Sequence, residues 1–69
     1  MGKFNVEEIN LMCIYDTSSR NALLTEIKES LFYVDEPKMR TLMQAVISKV
    51  ESITDDEFAD IGFYPTFMN

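Results

Sequence analysis

The 69-residue chain has no histidine, one cysteine, two glycines and two prolines. With Cys13 alone an intramolecular disulfide is impossible, and without histidine a zinc site lacks its usual ligands. A catalytic cysteine needs a basic neighbour to form its thiolate, so Cys13, flanked by Leu11, Met12 and Ile14, reads as a buried, inert thiol. No apolar run approaches the ~20 residues of a membrane span. The opening MGKFNVEEIN has one lysine and no apolar core, so it does not read as a secretory signal. Val6 stands where a myristoylation signal has its hydroxyl residue. The expectation is a cytoplasmic chain with no membrane contact. Positive charge is also scarce: six Lys and Arg face twelve Asp and Glu, a net charge of −6. Such a chain is repelled by phosphate, so no direct contact with nucleic acid is expected.

What is present is apolar residue at helical spacing. Hydrophobic residues make up 46% of the chain, enough to fold. The length allows one domain over residues 1–69. A chain this size buries about 60% of its unfolded surface, a marginal core that a partner protein or a second copy can support.

The longest pattern lies over residues 36–53. Met39, Leu42, Met43, Val46, Ile47, Val50 and Ile53 recur at i, i+3, i+4 and i+7, with Lys38, Arg40, Gln44, Lys49 and Glu51 in the gaps. This is the expected central helix, with Leu42 and Val46 buried. Residues 5–15 predict a first helix capped by Asn5, with Glu8 completing a capping box. Its second half is apolar nearly all round and is expected to lie inside; a strand over 11–15 would have no partner. The run Asp16-Thr17-Ser18-Ser19 breaks the pattern, and a second helix follows over 18–33. Its stripe is Leu23 or Leu24, Ile27, Leu31 and Val34.

Asp35, Glu36 and Pro37 end that helix and start the next, with Asp35 as the expected N-cap and proline in the first turn. So short a link predicts an antiparallel pair. Thr54 and Glu57 form a second capping box for a short fourth helix, with Phe58 and Ile61 facing the core. Gly62 and Phe63 are expected to end it in a Schellman turn before Pro65. The fold class is therefore all-α: three principal helices and a short C-terminal one.

Candidate chemistry is thin. Asp55, Asp56, Glu57 and Asp60 cluster, and Asp56 and Asp60 share a face, but the alternating ligands and central glycine of an EF-hand are missing. Capping and favourable placement at the positive end of the helix dipole account for them, so no metal is expected. Glu7 with Glu8, and Glu26 with Glu29, read as solvated pairs. Acid–base work needs burial in a shaped pocket, so no catalytic residue, cofactor or enzymatic activity is expected. Helices two and three resemble a helix-turn-helix in spacing, but Lys38, Arg40 and Lys49 are offset by Glu36 and Glu51.

The last twelve residues crowd Phe58, Phe63, Tyr64 and Phe67, with Met68 beside Phe67. Aromatics and methionine are enriched where proteins meet. Asp55, Asp56, Asp60, Phe63, Tyr64, Phe67 and Met68 are therefore the candidate interaction surface, an acidic rim beside an aromatic centre. A core lid is the competing reading of that tail.

The segments KFNVEEINLMCIYDTSSRNALLTEI and MRTLMQAVISKVESITDDEFADIGFYP resemble a family of small proteins encoded in conjugative transposons of Gram-positive gut bacteria. The resemblance covers most of the chain and rests chiefly on NVEEINLMCIYDT and TDDEFADIGFYP. It implies a mobile-element setting in a bacterial cytoplasm, and no functional residue. The function expected is a non-enzymatic accessory that binds another protein or itself. The alternative is a regulator linked to nucleic acid, binding DNA weakly or imitating its charge.

Overall fold

A computed structural model describes residues 4–61. Among the described residues four helices follow one another: α1 over Val6–Met12, α2 over Arg20–Leu31, α3 over Pro37–Glu51 and α4 over Asp55–Ala59. The all-α reading holds, with three longer helices and a short last one.

Each start is a side chain that satisfies an otherwise unpaired backbone N–H. Asn5 accepts from Glu8 N at 2.8 Å while Glu8 Oε1 accepts from Asn5 N at 2.9 Å, completing the box at α1. Thr54 and Glu57 repeat it at α4. Ser19 caps α2 by accepting from Ala22 N. Ser18, inside the expected helix, stays outside because its N–H donates to Asp16 Oδ1 at 2.9 Å, closing a local turn. At α3 the cap is Glu36 rather than Asp35. The Glu36 carboxylate accepts from Met39 N at 2.7 Å, and Pro37 takes the first position, where no N–H is needed.

α2 and α3 form an antiparallel pair. Arg20, at the start of α2, donates to the Val50 carbonyl near the end of α3. α3 packs against both α2 and α1 and supplies the centre of the core. Met43, Val46 and Val50 are fully buried there, with Leu11, Met12, Leu23, Leu24, Ile27, Ile53 and Phe58 around them. Leu42 is only half-buried, and Met39 is 39% exposed. Of the stripe drawn from periodicity, Met43, Val46, Val50 and Ile53 are buried, and Leu42, expected with them, lies at its edge, because two neighbours share α3 and the line facing both runs through Met43.

The first helix differs more. It ends at Met12, three residues short of the expectation, and only Leu11 and Met12 among its apolar residues are buried. Ile14 is 74% exposed and Val6 57%. A seven-residue helix meeting the bundle along one line can bury one stripe, here Glu8, Leu11 and Met12 at i, i+3 and i+4. Of its remaining apolar residues, Ile9 is half-buried and Val6 is left exposed by the described residues.

Candidate interaction surface

Five-residue α4 is too short to hold together on propensity, so Phe58 and the ion pair from α2 fix it in place. Phe58 is 4% exposed, inside the core. Arg20 Nε donates to Asp55 Oδ1 at 2.8 Å. Asp55, Asp56 and Asp60 are all exposed, on a helix whose first turn holds three carboxylates. Asp60 closes the helix as its C-cap. Among the described residues no group of three acidic or thiol side chains is arranged to hold a metal ion. Phe63, Tyr64, Phe67 and Met68, and the Gly62–Phe63 turn, lie outside the described residues.

The other candidates fall into structural roles. Glu8 is not solvated. It is 3% exposed and takes Lys49 Nζ on both oxygens, at 2.8 and 2.9 Å. A buried carboxylate needs such a partner, and Lys49 reaches it from α3 while its ammonium lies 5.8 Å from the Phe4 ring centroid. Lys49, expected on the wet face, is thus half-buried. Glu26 is exposed and accepts from Asp16 N at 2.8 Å. Cys13 is half-buried rather than buried, and its desolvation pushes the thiol up, away from the reactive thiolate.

Lys38, Arg40 and Lys49 do not form one basic face. Lys38 is exposed, Lys49 is held by Glu8, and Arg40 Nη1 donates to the carbonyls of Leu31 and Val34, both at 2.9 Å. Arg40 thereby closes the end of α2, whose last carbonyls have no partner within the helix. Asp16 is exposed, and hydrogen bonds from the Ser18 side chain and then its backbone hold its carboxyl below the ordinary value of 3.8.

The structure also exposes a surface that pattern reading passed over. Phe32 is 85% exposed and Tyr33 86%, side by side at the α2–α3 turn. Beside them is an open hollow of about 320 Å³ bounded by Lys28, Leu31, Phe32 and Arg40. Lys28 Nζ is fixed there by Glu51 at 2.7 Å. The signal was available: Phe32 follows Lys28 by four, and Tyr33 follows Glu29 by four, which sets both aromatics on the polar face of α2. A second open hollow, about 500 Å³, lies between the start of α2 and α4, at Ser19, Arg20, Asp55 and Phe58.

Residues 4–65 match the model of a family described as "Putative transposon-transfer assisting protein". No curated protein and no solved structure matches the chain.

Proposed function

Because the chain belongs to this transposon-transfer assisting family, we propose that it is a non-enzymatic accessory of transposon transfer that acts in the bacterial cytoplasm by binding protein. The family supports the setting. The observation that carries the mode of action is the pair Phe32 and Tyr33, held almost fully in water at the end of a helix. Two adjacent large aromatics contribute little to the fold from there, and aromatic residues of this kind anchor protein contacts. The exposed carboxylates of α4 are read as a charged surface that governs encounter more than affinity. The reading places no nucleic acid on the chain, since the net charge of −6 repels phosphate and Arg40 and Lys49 are held within the molecule.

The test is genetic. Deleting the gene from a donor that carries the transposon should lower the frequency of transfer, and supplying the chain in trans should restore it. The Phe32→Ala/Tyr33→Ala variant, expressed at the same level, should fail to restore it. Unchanged transfer after deletion would remove the accessory role, and full complementation by the variant would remove the turn as its working surface.

A further inference from the structure

The α2–α3 turn differs from the rest of the molecule in exposure and in charge. It carries Phe32 and Tyr33, the most exposed large apolar side chains among the described residues. Across residues 28–40, Lys28, Lys38 and Arg40 balance Glu29, Asp35 and Glu36, and Glu51, paired with Lys28, adds one negative charge, so most of the net charge of −6 lies elsewhere. α4, the densest in carboxylates, is tied by Asp55 to Arg20 at the opposite end of α2. A twelve-residue helix sets those ends about 18 Å apart.

We propose that a second copy of this chain docks at the turn, forming a weak two-fold dimer in which Tyr33 of each copy enters the hollow beside Phe32 of the other. This deepens the reading above, resting on its choice of the turn as the contact surface and naming the partner. The mixed charge of the rim is what fits that partner. Two bodies of like charge repel, and joining them at their least charged ends keeps the α4 carboxylates of the two copies far apart. A rim of both signs is complementary to itself across a two-fold axis. A polyanion gains little at a site with no net positive charge.

The hollow suits an aromatic side chain. Leu31 and Phe32 offer apolar contact, and the fixed cations of Lys28 and Arg40 can face the ring of an incoming tyrosine. Both cations are already held, by Glu51 and by two carbonyls, so docking need not order them. The area sets the strength. Two aromatics per copy, at 150–250 Å² each, bury about 600–1,000 Å² in all, below the ~1,200 Å² of a stable interface. The dimer is therefore concentration-dependent.

Sedimentation equilibrium of the full chain, from micromolar to millimolar concentration, tests this. A reversible monomer–dimer equilibrium is expected, and added salt should strengthen it by screening the repulsion between the copies. Phe32→Ala/Tyr33→Ala should weaken it about tenfold or more, whereas Ile14→Ala, an exposed change on another part of the surface, should leave it unaltered. If the double variant loses helicity, Tyr33→Lys is measured in its place. A chain that stays monomeric overturns the proposal, as does a dimer weakened by salt, indifferent to the turn variants or equally weakened by Ile14→Ala. Saturable binding of a single-stranded oligonucleotide by a monomeric chain, lost in the turn variants, also overturns it and assigns the aromatics to base stacking. Transfer that fails in the turn variants while the wild-type chain is monomeric overturns the dimer alone. A dimer lost in variants that still support transfer upholds the dimer and removes the working role.

Discussion

Glu8 of α1 lies in the stripe that packs toward α3, at a position where a short amphipathic helix ordinarily has an apolar residue, and Lys49 of α3 meets it there with two hydrogen bonds. One Glu8 oxygen also accepts the Asn5 N–H, so a single carboxylate starts the first helix and fastens it to the third.

Lys49→Met should leave that carboxylate buried without its charge partner. The expected cost is about 1–3 kcal/mol in urea denaturation, less than the 3–5 of a fully buried pair because Lys49 is itself partly in water. Adding Glu8→Gln should recover part of it, since the amide keeps an oxygen for Asn5 N–H and removes the stranded charge. Equal stability of the wild type and Lys49→Met would mean the pair contributes nothing.

In the core, Met43→Ala should cost about 2–5 kcal/mol, a large share of a small domain's stability. Leu42→Ala should cost less, because Leu42 is half-buried while Met43 is fully enclosed. Thermal melts of the two variants decide the order, and a larger loss from Leu42→Ala would contradict the orientation of α3.

The capping boxes carry the two shortest helices. Asn5→Ala and Thr54→Ala should each destabilise the fold by about 0.5–2 kcal/mol. Amide exchange in Thr54→Ala should quicken first along α4, whose five residues then keep only Phe58 and the Arg20–Asp55 ion pair to hold them.

The Asp16 carboxyl should titrate below its ordinary value of 3.8 in an NMR pH titration, and Ser18→Ala should move it upward. The sign follows from linkage: a depressed carboxyl adds stability above its unfolded pKa and loses it as pH falls through the folded one. The loss therefore belongs to the acid side of 3.8. A midpoint at or above that value would remove the Ser18 hydrogen bonds from the folded state.

Phe32→Ala/Tyr33→Ala should leave the thermal midpoint nearly unchanged, within about 0.5 kcal/mol of stability, as surface substitutions do. A loss of several kcal/mol would show that the pair belongs to the core.

The helices, the two capping boxes and most of the core were determined by sequence alone, because they rest on neighbours three or four residues apart. Asn5 with Glu8, Thr54 with Glu57, and the spacing of Leu23, Ile27, Val46 and Val50 need no knowledge of what lies across the bundle. The link to a transposon family was also in the sequence, in segments near both ends. Tertiary structure decided what depends on a distant neighbour. It chose Met43 over Leu42 because α3 faces two helices at once. It buried Glu8 because Lys49, far along the chain, arrives beside it, and it left Ile14 in water because no element among the described residues covers it. It turned Arg40 from a candidate basic contact into the lock on the end of α2. Phe32 and Tyr33 lay on the polar face by spacing, but only the packed bundle shows that nothing among the described residues returns to cover them. Local spacing determines which face of a helix is apolar, and the arrival of a remote segment determines which of those residues is shielded.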